Sequence, residues 1–464
     1  FSTNPAGRFV RRHERVLRDP SFGREHDRPM ARFERAAVCS PLTLASEAGV
    51  DVLRSGGNAV DAAIATNLVL AVAYPHMCGV GGDLLAMVWA DGELVGLNSS
   101  GALPSNAQLP AGGVPQKGAR SATVPGAPAG WFALAERFGS RPLAELAAPA
   151  IRLAREGVER APGLSKITEW SRDLLAGDRE AERIFLADGR LVQPELADVL
   201  DDLEGFYDGP VARAAPEPFM PDDFVAHRAE WVVPLHEGFA GLTVCEMPPN
   251  SRGHLVLEAI RRLEPLEGLT PADPGWHERL VRSLRGATSG GDTIYLCVVD
   301  GDGMAVSLNQ SLYDAFGSGV VVPGTGVLLH NRGAYHSPDT YRGGAKPIHT
   351  LSPAMALRDG RPSLVFGTMG GEAQVQIHMQ LLARILVAGE SVEDAIAAPR
   401  WRFSEDQFMY EDGIPPLESL PSGMNAVLMP VPELAGHAHA ILVAPDALHA
   451  AADPRADGVP CGLD

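Results

Sequence analysis

The pattern of hydrophobic and polar positions first indicates two adjacent helices. Residues 42–54 place their apolar side chains on one face of a helix, and a pair of glycines follows it. Residues 58–72 predict the second helix, because Asn58 suits an N-cap, Asp61 lies in the first turn and Pro75 follows the segment. Nearly every position of this second helix is apolar, so we expect it to be buried on more than one side.

Patterns of period two indicate strands further along the chain. Residues 84–97 predict two strands joined at Asp91-Gly92, which is a hairpin signal. Residues 128–205 predict mostly helix with proline and glycine interruptions, and residues 240–265 predict a strand, a turn and a helix.

Strand patterns dominate the second half of the chain. Residues 293–300 and 305–310 predict two strands around a Gly-Asp-Gly turn, and further strands are expected near Val320, Leu328 and Leu364. Residues 376–387 predict a helix. Strands flanked by helices in this order favour a layered α/β (α+β) sandwich over a parallel sheet of βαβ units.

Composition and charge narrow the classes of partner. The chain has 464 residues, of which 45% are hydrophobic and 21% charged, so it has ample material for a core. A nucleic-acid partner is not expected, because the net charge is −19 and phosphate binding needs a basic patch. No membrane partner is expected either, since no apolar run reaches spanning length. The Arg-containing start lacks the apolar segment of a secretory signal, which favours a cytoplasmic location.

Cysteine and histidine spacings indicate neither a disulfide framework nor a metal site. The five cysteines are widely spaced, and Cys297 is expected to be a small buried hydrophobic side chain. His437 and His439 share one strand face without an evident third ligand, so we predict no metal and no cofactor. Residues 79–83 are rich in glycine but lack the Lys-Ser/Thr of a phosphate loop.

The segment Gly291-Asp292-Thr293 carries the candidate chemistry. It follows a glycine-containing stretch and leads into a strand, and cleavage between Asp292 and Thr293 would place a new α-amino group beside the Thr293 hydroxyl. A free hydroxyl is a poor nucleophile at neutral pH, and an adjacent amine serves as its base. Taken alone, Asp-Thr before a strand more commonly describes an ordinary turn into that strand.

Longer sequence blocks surround this segment. The first half contains LASEAGVDVLRSGGNAVDAAIATNLVLAVAYPHMCGVGGD, TVPGAPAGW and PPNSRG, which begin at residues 44, 123 and 248. The second half contains GDTIYLCVVDGDGMAVSLNQS, FGSGVVVPGTGVLLHNRG, HTLSPAM, GTMGGEAQVQ and DPRADG, from residues 291, 316, 349, 367 and 453. In this order the blocks resemble the γ-glutamyltranspeptidase family of self-processing amidohydrolases.

The resemblance implies a four-layer αββα sandwich of the N-terminal-nucleophile hydrolase type. It also implies a precursor that cleaves itself into a larger subunit, residues 1–292, and a smaller one, residues 293–464, which pair as one αββα unit. On matching positions Thr293 is the nucleophile, and Ser311 is a second hydroxyl that orients the new amine. Gly370 and Gly371 match the pair whose N–H groups line the oxyanion hole, although without the resemblance they describe only a turn.

His349 and Thr350 fall where the family has a pair of small hydroxyl residues that contact the substrate. Thr350 keeps its hydroxyl, whereas His349 does not and is either a pocket base or a packed histidine. Arg332 is a candidate anchor for a substrate carboxylate, because a guanidinium forks onto a carboxylate. A structural ion pair is the equal alternative for Arg332.

Three further positions depart from the family's pattern. The arginine that grips the substrate's α-carboxylate in the family aligns with Ser100. Tyr313 stands where the family has a substrate-binding asparagine, and Tyr335 stands at a position that is often acidic. The catalytic residues therefore match the family while the γ-glutamyl pocket is rebuilt, and we expect weak activity on simple γ-glutamyl anilides.

These features predict an enzyme that cleaves an amide bond of a small-molecule substrate through a Thr293 acyl-enzyme, by hydrolysis or by transfer. The resemblance implies γ-glutamyl substrates such as glutathione. The alternative is a family member recruited to another acyl group, as an acylase or a hydrolase of specialised metabolism, because the arginine is missing. A catalytically silent homologue is a further alternative, and homo-oligomer formation is left open.

Overall fold

The centre of the protein consists of two seven-stranded sheets, in a computed structural model that describes residues 31–284, 292–404, 406–420 and 423–464. Neighbouring strands within each sheet run antiparallel. Sheet I has the spatial order β17 (Cys461–Leu463), β2 (Ala36–Cys39), β8 (Asp292–Val299), β9 (Ala305–Tyr313), β3 (Asp83–Ala90), β4 (Glu93–Ser99) and β5 (Glu230–Val232). Sheet II has the order β1 (Ala31–Phe33), β16 (Leu448–Ala452), β15 (Ala438–Val443), β11 (Arg361–Thr368), β10 (Ala354–Arg358), β7 (Leu242–Glu246) and β6 (Leu235–Phe239).

The two sheets face each other across a shared apolar layer. Both sheets contribute buried side chains to it, which include Met87, Tyr295 and Cys297 from sheet I and Met355 and Val365 from sheet II. The cysteines are free thiols in this structure, and Cys297 takes the role of a small buried hydrophobic side chain, as predicted. This layer places the residues of β8 and β9 directly opposite those of β11.

Helices cover the outer face of each sheet, which completes four αββα layers and confirms the predicted fold. A small separate sheet adds β12 (Trp401–Phe403), β13 (Gln407–Tyr410) and β14 (Asn425–Leu428). The chain from β2 to β5 contains α1 (Thr43–Arg54), α2 (Ala59–Ala73), α3 (Ala127–Phe138), α4 (Leu143–Glu156), α5 (Pro162–Trp170), α6 (Arg172–Leu175), α7 (Arg179–Phe185), α8 (Pro194–Asp201), α9 (Pro210–Ala214) and α10 (Pro221–Ala226). On the side of sheet II lie α11 (His254–Arg262), α12 (Pro274–Ser283), α13 (Gln374–Leu382) and α14 (Val392–Ala397).

The helix α2 illustrates how local sequence determines the fold. The Asn58 side chain accepts a hydrogen bond from the Asp61 N–H, and the Asp61 carboxylate accepts one from the Asn58 N–H, which forms a capping box. Every residue of α2 is buried, as its almost uniformly apolar sequence predicts. The helix therefore packs between sheet I and the helices outside it.

Three predicted elements, two strands and one helix, differ from the structure. The strands expected near Val320 and Leu328 are only an isolated bridge between Val321 and Leu328. Four glycines with positive φ, at positions 317, 319, 324 and 326, turn the chain there. The segments between them are too short to pair as extended strands. The predicted helix over residues 376–387 begins earlier, and its last turn, residues 383–387, is π-helical.

Candidate active site

Thr293 lies at the start of β8, in the centre of sheet I. Its side chain is 1% exposed, and its hydroxyl donates a hydrogen bond to Ser311 Oγ on β9 at 3.1 Å. The pairing of β8 with β9 is irregular here, because Asp292 faces Tyr313 while Ile294 faces Gln310. Two residues of β9 therefore oppose the single residue Thr293, which is a β-bulge. The bulge aims the Thr293 and Ser311 hydroxyls at each other.

Tyr313 closes the bulge and links it to the rest of the site. Its N–H donates to Ser311 Oγ at 2.8 Å, so the Ser311 oxygen accepts from both Thr293 and Tyr313. The φ of Tyr313 is +78°, a conformation that asparagine adopts more readily than tyrosine. A tyrosine at this position is strained by about 1–2 kcal/mol, and contacts of its ring must offset that strain.

Asn309 is a member of the site that the sequence analysis missed. Its Nδ2 donates to the carbonyl oxygens of Ile294 and Thr368, at 3.1 Å each. These bonds tie the start of β8 to the end of β11 across the interface between the sheets. The signal was present in the sequence, because Ser307, Asn309 and Ser311 form a polar series of period two in a strand whose other residues, apart from Gln310, are mostly apolar. Below, Thr293, Asn309 and Ser311 are called the nucleophile corner, after the role that the sequence analysis predicts for Thr293.

Gly370 and Gly371 follow β11, and only Met369 separates them from Thr368, the residue whose carbonyl Asn309 holds. Their φ values are +136° and +58°, which glycine adopts without strain. The loop is fixed from behind, since the Met369 N–H donates to the His437 carbonyl at 2.8 Å. In the described part of the chain, neither the Gly370 nor the Gly371 N–H donates to another protein group. The loop leads into α13, whose N-terminal end favours negative charge.

Arg332 lies beside this corner and is buried. Its guanidinium stacks on the Tyr313 ring at 4.2 Å and lies 5.9 Å from the Tyr335 ring. Its Nη1 donates to Thr350 Oγ1 at 3.2 Å, whereas Nη2 has no partner among the described residues. Burial lowers the pKa of the Arg332 side chain from its usual value. The guanidinium of arginine nevertheless stays charged in proteins. We call Arg332, Tyr313, Tyr335 and Thr350 the acyl pocket, after the substrate contacts that the sequence analysis predicts at these positions.

Tyr335 connects the acyl pocket to a nearby ion pair. Its ring meets the Tyr313 ring edge-on with centroids 5.7 Å apart. Arg252 Nη1 donates to the Tyr335 hydroxyl at 2.9 Å, and that hydroxyl donates to the Glu372 carboxylate. Arg252 also forms a salt bridge with Glu372 at 2.8 Å. Tyr335 therefore replaces an acidic side chain with a neutral one whose hydroxyl is already engaged.

His349 packs behind the acyl pocket with both ring nitrogens engaged. Nε2 donates to Asp83 Oδ2 at 3.1 Å, and Nδ1 accepts from the Leu351 N–H at 3.3 Å. Burial, followed by the charge of Arg332, lowers the pKa of His349 to about 4. Burial raises the pKa of Asp83, but its contacts with His330 and His349 outweigh this and bring it to about 2. This geometry favours the packed histidine over the pocket base.

Asp83 is the first residue of β3 and lies directly opposite Ser311 in the sheet. Because it also bonds to His349, this buried carboxylate is next to both the nucleophile corner and the acyl pocket. The backbone at Gly82 lies very close to β9, because a Cβ on Gly82 would lie 2.5 Å from the Ser311 carbonyl oxygen.

Ser100, which directly follows β4, is also buried. Its hydroxyl donates to Asn98 Oδ1 at 2.8 Å and accepts from Asn250 Nδ2 at 3.2 Å. Both of these bonds are internal to the protein.

Comparison with known proteins identifies the family. The family model for Gamma-glutamyltranspeptidase matches residues 45–282 and 270–463. The chain belongs to the γ-glutamyltranspeptidase family. The two matched ranges share residues 270–282, and the second range continues through Thr293.

Relatives within the γ-glutamyltranspeptidase family carry several activities in their names. The chain is 32% identical to the glutathione hydrolase-like YwrD proenzyme of Bacillus subtilis, over 92% of this chain and 98% of the relative. It is 31% identical to the oxamate amidohydrolase proenzyme of Klebsiella pneumoniae, over 91% and 97%. The structure of a cephalosporin acylase from Bacillus halodurans superposes with a TM-score of 0.87 at 28% identity, over 96% and 99%.

The remaining surveys concern metals and membranes. No group of three or more His, Cys, Asp or Glu side chains within the described ranges is arranged to hold a metal ion. In the same ranges, no helix has both the length and the apolar character needed to cross a bilayer.

Proposed function

We propose that this member of the γ-glutamyltranspeptidase family is a self-processing amide hydrolase with Thr293 as its nucleophile. The observation that supports this most is the hydrogen bond of 3.1 Å between the buried Thr293 and Ser311 hydroxyls at a β-bulge. Cleavage after Asp292 would give Thr293 a free α-amino group. That amine would accept the hydroxyl proton as Thr293 Oγ1 attacks, and Ser311 would orient it.

The reaction proceeds in two steps. Thr293 Oγ1 attacks the amide carbon, an ester forms, and the amine leaves with a proton. Water then attacks the ester, which releases the acid and restores the Thr293 hydroxyl. The oxygen of each tetrahedral intermediate carries negative charge, and the Gly370 and Gly371 N–H groups would donate to it. The loop's connection to the nucleophile corner through Asn309 supports this assignment.

The acyl pocket supports a substrate whose acyl group carries a carboxylate. A buried guanidinium with an unpartnered Nη2 is a costly group unless a ligand occupies it. Tyr313 contacts Arg332 through its ring and Ser311 through its N–H. Only Tyr313 therefore lies between the Arg332 guanidinium and the hydroxyls of Thr293 and Ser311. The relative named oxamate amidohydrolase acts on a small amide that bears a carboxylate, which agrees with such a pocket.

Mass spectrometry during turnover tests the mechanism. The protein is mixed with a p-nitroanilide of a carboxylate-bearing acyl group, quenched in acid and digested. We expect the peptide that begins with Thr293 to gain the mass of the acyl group minus one hydrogen. Acylation of a different residue, or release of nitroaniline without any acylated Thr293 under rapid quench, would overturn the proposal.

A further inference from the structure

Charges around Arg332 are unevenly arranged. Three carboxylates, Asp83, Asp314 and Glu372, act on its guanidinium and raise its pKa against the effect of burial. Each of these carboxylates already has donors within the protein, whereas Arg332 Nη2 has no partner in the described part of the chain. Among the described residues, Arg332 therefore has one nitrogen, Nη2, that is available to a ligand. The three carboxylates near it already have partners.

Two of the carboxylates are held by polar groups behind the pocket. Asp83 accepts hydrogen bonds from the Gly101 N–H and from His349 Nε2, both at 3.1 Å. Asp314 pairs with Lys117 Nζ at 3.2 Å and accepts from Asn331 Nδ2 at 2.8 Å.

The third carboxylate, Glu372, lies directly after the glycine pair. It pairs with Arg252 at 2.8 Å and accepts a hydrogen bond from the Tyr335 hydroxyl. Arg252 and Glu372 are both mostly buried, with side chains 16% and 11% exposed. The negative charge of Glu372 is therefore balanced by Arg252 before any substrate enters.

A γ-glutamyl group carries an ammonium on the same carbon as its carboxylate. If its carboxylate binds Arg332, its ammonium lies next to the guanidinium and needs a partly buried carboxylate as its own partner. The negative charges of the three nearby carboxylates are already shared with donors inside the protein, so these carboxylates attract an added ammonium less strongly. A like charge beside Arg332 and an unpaired buried ammonium both disfavour binding.

Resting on the proposed function, we propose that the substrate's acyl group is a dicarboxylic acid residue with no ammonium beside its free carboxylate. Arg332 binds that carboxylate through its open Nη2 edge. Arg252 and Tyr335 are specificity-determining residues, because they occupy Glu372 and so remove the partner that an ammonium would need. Amides of α-amino dicarboxylic acids are excluded by the same arrangement.

Matched pairs of p-nitroanilides test the proposal. The pairs are succinyl with β-aspartyl, glutaryl with γ-glutamyl and adipoyl with δ-(α-aminoadipyl), and the two members of each pair differ only in the α-ammonium. In the pair with the fastest substrate, we expect kcat/KM for the unaminated member to be at least about tenfold higher, since like-charge contacts cost several kcal/mol. Equal or faster turnover of the aminated member would overturn the inference.

Two further outcomes separate this inference from the proposed function. Hydrolysis of butyryl-p-nitroanilide at the rate of the glutaryl compound would overturn the role of Arg332 and leave the Thr293 mechanism standing. Absence of hydrolysis of all these anilides and of the corresponding primary amides would overturn the proposed function, and the inference with it.

Substitutions test the roles of the two residues that occupy Glu372. Arg252→Gln removes the charge that balances Glu372, and Tyr335→Phe removes its hydroxyl donor while keeping the aromatic ring. We expect the preference for the unaminated substrate to fall at least about threefold in Arg252→Gln and less in Tyr335→Phe. Arg384→Gln is the matched control, because Arg384 is also a mostly buried arginine paired with a glutamate, Glu390, and lies beyond the far end of α13. An unchanged preference in both variants would contradict the assigned roles.

Discussion

The nucleophile corner and the acyl pocket are adjacent but are built from different kinds of interaction. The nucleophile corner uses uncharged hydroxyl and amide groups whose positions follow from strand pairing and one bulge. The acyl pocket uses a buried cation, two aromatic rings and a network of ion pairs contributed by loops. Changes in the corner should therefore affect processing and kcat, whereas changes in the pocket should affect which acyl group is accepted.

The comparison also explains how one family can include relatives named for different amides. Strand register fixes the position of Thr293, the proposed nucleophile, without any charged side chain that a substrate has to match. The charge balance of the pocket is set separately, by residues such as Arg332 and Tyr335. Two residues connect these parts. Tyr313 donates its N–H to Ser311 and stacks its ring on Arg332. Asp83 pairs with Ser311 in the sheet and accepts a hydrogen bond from His349 behind the pocket.

The largest effect is expected for Thr293→Ala. The variant lacks the hydroxyl that the proposed mechanism needs both for self-cleavage after Asp292 and for the attack on the substrate. We therefore expect one uncut chain and a loss of at least about 10⁴-fold in activity. Denaturing electrophoresis and an anilide assay measure the two effects. Thr325→Ala is the matched control, because the Thr325 hydroxyl is also buried but bonds within its own turn, where it donates to the Val322 carbonyl and accepts from the Val327 N–H. Processing of Thr293→Ala at the rate of the control would contradict the assignment.

The next largest effect should follow Arg332→Met, which keeps bulk in the acyl pocket and removes the charge. Losing a buried charged partner costs about 2–5 kcal/mol, or roughly thirtyfold to several-thousandfold in kcat/KM on a carboxylate-bearing anilide. Self-cleavage should persist, because the nucleophile corner is unchanged. Steady-state kinetics with glutaryl and butyryl anilides measure this. An equal loss on both substrates would show that Arg332 is structural, which is the alternative that the sequence leaves open.

A smaller effect is expected for Ser311→Ala. The variant removes the acceptor of the Thr293 and Tyr313 hydrogen bonds, and one buried hydrogen bond contributes about 1–3 kcal/mol. We expect a decrease in kcat of about tenfold to a hundredfold with little change in KM. Ser307→Ala on the same strand is the control, since the Ser307 hydroxyl bonds to Tyr295 and not to the nucleophile. The proposed role of Ser311 fails if both variants lose kcat equally.

The smallest expected effect is the loss of folding stability in acid that comes from buried histidines, and exposed histidines are not expected to contribute to it. Burial lowers the pKa of His349 and His437 to about 4 each. Their folded pKa values lie below the unfolded value of about 6.5, so the unfolded chain binds more protons and stability falls as the pH drops from about 6.5 to 4. Each histidine contributes at most about 1.4 kcal/mol per pH unit.

Urea unfolding at pH 7 and pH 5 measures this acid sensitivity. His437→Gln should reduce the shift in midpoint between the two pH values, whereas His236→Gln, which changes an exposed histidine, should leave it as in the unaltered protein. A midpoint that is the same at pH 7 and pH 5 would contradict the neutral buried state of these histidines.

Much of the fold was predictable because local signals determine it. The capped, uniformly apolar helix α2 and the paired strands β8 and β9 follow directly from sequence periodicity. The expected strands at Val320 and Leu328 were wrong because glycines with positive φ interrupt the ladder. Residues 285–291, which contain the stretch before the predicted cleavage site, lie outside the described residues.

The site was predictable in part, and for a physical reason. The Thr293 and Ser311 hydroxyls are hydrogen-bonded because the two residues lie on adjacent strands, and their catalytic roles stay predictions. The stacking of Arg332 on Tyr313 and the engagement of Glu372 by Arg252 join residues 19 and 120 positions apart in the sequence, and no periodicity records such contacts. Ser100, the position of the absent arginine, turned out to bond to Asn98 and Asn250.

N-terminal sequencing of the smaller fragment of the purified, fully matured protein tests the central claim most directly. The account predicts that this fragment begins Thr-Ile-Tyr-Leu, with Thr293 carrying the free α-amino group beside its own hydroxyl. An intact chain after complete maturation, or a fragment that begins at any other residue, would contradict it.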